Sequence, residues 1–352
     1  MLLFQQIRNE DENMTITRND ELKYCTSIKA MLMLFVVFYH SMAMYGDGRW
    51  GPFQPAAEIP VLTPIVAWFN SFHIYAFTLI SGYIFYHIKF ENGRYQKYRS
   101  FLLNKAKRLL LPYAFVSIVW AVPVYIYFFG SGNVVDNFVL GKAPNQLWFL
   151  LMLFWVFAMI WPLSNLLDQK LIWGSAMIAI LHCIGYIAPN FYCFGAGLQY
   201  LLFFYIGFVL RKLDFVEAIL HKIPSCLYLL IDISLFALTW ILRDKNELII
   251  RIVRLGLNVV LHAVGAISAF IILQRVVHCF GRLRSMLSVL SKHSMSIYLI
   301  HQQLIYFSIC LLNGIVSPCI LILVNFVFSL LISLTFSILM SKSKFTKALL
   351  GS

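Results

Sequence analysis

Ser27-Ile-Lys-Ala-Met-Leu-Met-Leu-Phe-Val-Val-Phe-Tyr-His40 decides the fold class. From Ala30 to Tyr39 every side chain is apolar, whereas a membrane-spanning β-strand alternates polarity over about ten residues. Ile320 to Phe328 reads the same way, broken only by Asn325. Such runs are helices that cross a bilayer. The whole chain agrees: of 352 residues 61% are apolar and 12% charged, against about 45–50% and about 25% in soluble domains. A soluble core cannot absorb that many hydrophobic side chains. A nucleic-acid binder would gather its basic residues on one solvated face, and the net charge of +13 is instead scattered between apolar runs.

Working outward from the first run, the pattern predicts spans near 28–45, 62–88, 108–130, 147–165 and 171–188. Five more fall near 196–211, 223–242, 252–274, 294–312 and 317–340. The expectation is an all-α polytopic integral membrane protein with about ten transmembrane helices, each needing about 20 residues. Positively charged loops stay cytoplasmic. With both termini inside, 22 of the 28 Lys and Arg fall in inner segments and 6 in outer ones. The four basic residues between 243 and 254 oppose that bias, offset by Asp244 and Glu247. The division expected is a polar cytoplasmic tail over 1–27, a membrane domain over 28–340 and a basic cytoplasmic tail over 341–352. The acidic residues of the first 27 positions do not suit the basic start of a signal peptide. Seven cysteines form no CxxC pair and read as small hydrophobes, so no metal site is expected.

Polar groups inside a bilayer are costly and point to function. Lys29 and His40 are eleven residues apart, about three turns, so both face one side of a helix about 16 Å apart along its axis. That pairing suggests a lined channel with a cation at its mouth and an imidazole deeper in. His73 lies in the second span beside Ser81 and Gly82, the latter allowing close helix approach. Lys105, Lys107 and Arg108 gather just before the third span, which marks a cytoplasmic loop and also suits phosphate. Trp148 opens the fourth span where an aromatic belt residue is expected. Asn258 and His262 share a helix face, Asp232 is an isolated acid, Ser294 reads as an N-cap of the ninth span, and His301 follows two turns later.

In order along the chain these segments resemble the integral membrane acyltransferase family three, which includes O-acetyltransferases of bacterial surface polysaccharides. The resemblance rests on Ile28-Lys29-Ala30 with Val36-Val-Phe-Tyr-His40, on Phe72-His-Ile-Tyr-Ala-Phe-Thr-Leu-Ile-Ser-Gly-Tyr83 and on Lys107-Arg-Leu-Leu-Leu-Pro-Tyr113. Leu147-Trp-Phe-Leu150, Phe203-Phe-Tyr-Ile-Gly207 and Ser294-Met-Ser-Ile-Tyr-Leu-Ile-His301 complete it. Lys29 stands where the family commonly has arginine, which keeps the charge and loses the bidentate fork. The family's proline after His73 is absent. The resemblance implies transfer of an acyl group, usually acetyl from acetyl-CoA, to a sugar hydroxyl of a surface or lipid-linked glycan at the plasma membrane, or the inner membrane of a Gram-negative cell. It implies no permanently bound cofactor. His40 would be the general base, Lys29, Lys107 and Arg108 would receive the CoA phosphates, and His73, Trp148 and His301 would support acceptor or oxyanion. The competing reading is a polytopic transporter or polysaccharide exporter without acyl transfer.

Overall fold

A computed structural model describes residues 18–46, 50, 53–132, 134–135 and 145–351. The expected N-terminal tail up to residue 17 lies outside the described residues, as do Arg49 and Lys142 of the outer loops. The described chain is helical and carries no named strand. Helix α1 (Arg18–Met42) is followed by α2 (Leu62–Tyr86), α3 (Tyr98–Val116), α4 (Val122–Phe129), α5 (Trp148–Gln169), α6 (Leu171–Ile184) and α7 (Phe194–Lys212). Then come α8 (Asp214–Leu220), α9 (Ser225–Ile241), α10 (Leu248–Cys279), α11 (Gly281–Leu312), α12 (Pro318–Met340) and α13 (Lys344–Leu349). Eight helical stretches among the described residues are long and apolar enough to cross a membrane, which establishes the all-α membrane class. Helices α8 and α9 form a further crossing only if taken together, across a 90° bend.

The 14-residue α6 is short for a bilayer of about 20 residues' depth. It nonetheless returns the chain from one end of the bundle to the other. At its start Lys212 Nζ pairs with Asp168 at 2.8 Å, joining the ends of α5 and α7. At its far end His182 Nδ1 donates to Gln199 O at 2.7 Å near the start of α7. Helix α11 differs from expectation in a second way. It begins at Gly281 rather than near 294, and Ser294 Oγ donates back to Ser291 O within the helix at 3.0 Å. Ser294 is therefore not an N-cap: more than three helical turns precede it and run on into the span.

Helices α2 and α7 cross at the centre, where Gly82 and Gly207 let backbone touch backbone. A Cβ on Gly82 would overlap the Phe204 carbonyl, and one on Gly207 the Leu79 carbonyl. Small residues at a crossing replace the missing hydrophobic drive between helices in lipid. Helix α12 packs on α11 and α1 through a buried polar stripe, Asn325, Ser329, Ser333 and Ser337, one helical turn apart each. Asn325 Nδ2 donates to Ser41 O at 3.0 Å, and its Oδ1 accepts from Ser308 Oγ at 2.6 Å. Pro112 inside α3 leaves Arg108 O without its helical donor, and Gly351 (φ +70°) after α13 packs against that carbonyl. The C-terminal segment is thereby folded back onto the end of the bundle that carries Lys29.

Candidate functional site

At that end Glu91, Asp168 and Glu217 are already matched. Arg211 grips Glu91 with Nε–Oε1 at 2.6 Å and Nη2–Oε2 at 2.8 Å. His87 Nδ1 donates to the same carboxylate at 2.7 Å, and Lys212 takes Asp168. Glu217 accepts from Tyr83 Oη at 3.0 Å and from Gln274 Nε2 at 2.9 Å. Lys29, Lys105 and Arg108 have no such partner among the described residues, and all three line one cavity of about 210 Å³. Beyond the cations its wall is mostly apolar, with Phe77, Phe149, Leu153 and Met295. Unneutralised cations at the mouth of an apolar slot form a site for an anionic headgroup on a slender apolar stem.

Val36, Ile74 and Tyr298 belong both to this cavity and to a second of about 270 Å³, so the two are neighbours on one passage. The second chamber is polar. Its wall includes His40, His73, Asn70, Tyr75, Trp148 and Tyr200. Lys29, Met33, Val36 and His40 form one stripe on α1, and Asn70, His73, Ile74, Phe77, Ser81 and Ile84 one stripe on α2. Helical spacing alone aligns them. The sequence-level pairing of Lys29 with His40 thus corresponds to the two ends of a continuous path.

Hydrogen bonds fix which nitrogen of each ring can act. His301, fully buried, points Nδ1 at the carbonyl oxygens of Ile297 (3.0 Å) and Tyr298 (2.8 Å). Carbonyls only accept, so Nδ1 carries the hydrogen and neutral His301 has a bare Nε2. That Nε2 lies 2.9 Å from His40 Nδ1, so His40 donates from Nδ1 and keeps Nε2 as an acceptor. His73 behaves alike, with Nδ1 donating to Phe69 O at 2.5 Å. In their neutral form both chamber imidazoles, His40 and His73, keep Nε2 as a base.

The placement of the expected residues divides cleanly. Lys29, Arg108, His40, His73 and Trp148 line the passage. Lys107 is exposed and lies off it, and Lys105 takes that place. Lys105 and Arg108 are three residues apart and share a face, whereas 105 and 107 point about 200° apart. His301 stands behind His40 and reaches the chamber only through it. Sequence reading missed Tyr75, Gln146, Tyr200 and Tyr298. Gln146 donates to Leu299 O (3.0 Å) and Gln303 Oε1 (2.9 Å), its N–H reaches Gln302 Oε1 (3.1 Å), and Tyr298 Oη donates to its carbonyl. This clasp seats the start of α5, and with it Trp148, against α11. Asp232 finds a partner in Trp68 Nε1 at 2.8 Å. His262 donates to Ser71 O at 2.8 Å and stacks on Tyr75 at 4.0 Å.

Comparison with known proteins gives one match. Residues 23–342 match the family described as the acyltransferase domain of acyltransferase family three. No curated protein and no solved structure matches the chain. With nearly the whole membrane bundle inside the matched span, the chain belongs to acyltransferase family three and is a membrane acyltransferase.

Proposed function

We propose that the protein transfers acetyl from acetyl-CoA to a sugar hydroxyl of a surface or lipid-linked glycan, with His40 as general base. The observation that carries this reading is the passage itself, with three unneutralised cations at one end and the His301-backed His40 at the other. Phosphates of the donor rest on Lys29, Lys105 and Arg108, charge-assisted contacts of the strongest kind. The pantetheine stem follows the apolar slot past Val36 and Ile74, which brings the thioester to the polar chamber. His40 Nε2 takes the proton of the acceptor hydroxyl as its oxygen attacks the carbonyl carbon. The intermediate collapses, the C–S bond breaks, and the thiolate leaves with the proton from His40. His301 accepts from His40 Nδ1 throughout and holds the ring and its tautomer in place, which makes it a positioning residue. The bilayer is the plasma membrane, or the inner membrane of a Gram-negative cell. The basic end faces the cytoplasm, in keeping with the excess of Lys and Arg in the inner segments.

Equilibrium binding of acetyl-CoA to the purified protein tests the donor assignment. Replacing Lys29 or Arg108 by glutamine removes a charge-assisted bond of about 1.5–3 kcal/mol, a loss of roughly ten- to a hundredfold in affinity. Lys107→Gln leaves binding unchanged. Equal affinity in all three variants overturns the assignment. For His301, alanine is expected to lower kcat by about a hundredfold with donor KM unchanged. His301→Gln recovers part of the loss, because its amide oxygen can accept from His40 Nδ1. Equal rates for the alanine and glutamine variants would exclude that role.

A further inference from the structure

Acyl transfer needs a hydrogen-bond donor where the carbonyl oxygen becomes an oxyanion, and an inventory of the polar chamber narrows where it comes from. Both imidazoles on its wall spend their Nδ1–H, His40 on His301 and His73 on Phe69 O; His73 then offers only a lone pair, and the proton that His40 Nε2 takes up is the one owed to the leaving thiolate. Gln146 spends both amide hydrogens on Leu299 O and Gln303 Oε1, and Tyr298 Oη donates to Gln146 O. Tyr39 packs its ring against His40 and His73 and has its own interaction partner. Tyr75 and Tyr200 stack with ring centroids 4.9 Å apart, and their hydroxyls are the rival donors.

Asn70 stands apart. It sits one turn before His73 on the same face of α2, it lines the chamber, and its amide makes no hydrogen bond among the described residues. Its side chain is exposed, so both amide hydrogens are open to whatever enters the chamber. Trp148 lines the same chamber, and its indole N–H makes no hydrogen bond among the described residues. The chamber, of about 270 Å³, has room for a thioester carbonyl and an attacking hydroxyl.

Resting on the acyl-transfer reading above, we propose that Asn70 is a catalytic residue whose side-chain N–H, together with that of Trp148, donates to the oxyanion of the tetrahedral intermediate. As the acceptor oxygen bonds to the carbonyl carbon, the C=O electron pair moves onto oxygen and is held there by these donors. The proton sits on His40, and the pair returns to reform C=O as the C–S bond breaks and the thiolate takes the proton. Ground-state carbonyl contacts are weaker than those to the oxyanion, so removing Asn70 acts on kcat.

The test measures transfer by the purified full-length protein from acetyl-CoA to a glycan preparation of the source cells. Asn70→Ala is expected to lower kcat by about a hundred- to a thousandfold, with the KM of acetyl-CoA within about twofold and the pH profile set by His40 unmoved. Asn70→Asp, the same size without a donor, falls at least as far, and Lys107→Gln, off the passage, leaves the rate unchanged. A kcat for both Asn70 variants within threefold of wild type overturns the proposal, as does a loss seen in Tyr200→Phe and not in Asn70→Ala. Should Asn70→Ala fail to accumulate, Asn70→Asp carries the comparison. His40→Ala is run beside them. If it retains full activity, the acyl-transfer mechanism fails by itself, whatever the Asn70 variants do.

Discussion

His40→Ala is expected to abolish acyl transfer while the protein accumulates in the membrane at the wild-type level. A positioned general base contributes about 10²–10⁴-fold, and the alanine also leaves His301 Nε2 without the hydrogen it accepts. A loss of at least about a thousandfold follows. The fold should tolerate the change, because His40 is half-buried against the chamber and its ring neighbours are the side chains of Tyr39, Trp50 and His301. Transfer assays on matched amounts of membrane-inserted protein check this. An active His40→Ala variant removes His40 as the base.

The largest effect on stability belongs to the crossing of α2 and α7. Gly207→Val places side-chain atoms where the Leu79 carbonyl lies, and backbone on both sides leaves no flexible neighbour to yield. Overpacking of this sort costs more than about 3 kcal/mol, enough to keep the variant from accumulating or to lower its Tm clearly in detergent. Gly256→Ala on α10 is the control. Nothing lies within 4 Å of the added methyl, and the helix gains about 0.5–1 kcal/mol from losing a glycine. Equal melting of Gly207→Val and wild type would show that the helices do not approach this closely.

Much of this was legible in the sequence, for physical reasons. Apolar run length gave the membrane helices, since lipid forces every backbone group to bond within its own segment. The eleven-residue step from Lys29 to His40 placed both on one wall, because helical geometry is local. Gly82 marked a close approach, and Gly207, its counterpart from another helix, needed the fold. Misreadings came where polarity was taken for loop. The helix of Ser294 extends past the apolar region to Gly281, and a polar helical turn outside lipid carries no hydrophobic signal. Lys105, rather than Lys107, lines the cavity with Arg108, as the helical period places it. The Gln146 clasp with Gln302 and Gln303, and the Asp232–Trp68 bond, join residues more than 150 positions apart. No local pattern encodes such pairs. His301 was visible as a polar residue, but its station behind His40 emerges only once α1 and α11 are packed.

Mass spectrometry of surface glycans decides the central claim most directly. Cells lacking the protein are compared with the same cells complemented by wild type or by His40→Ala at equal membrane level. The expected result is loss of one acetyl mass per repeat on deletion, its return with wild type, and no return with His40→Ala. Spectra identical with and without the protein, or full acetylation restored by His40→Ala, would contradict acetyl transfer by the imidazole at the end of this passage.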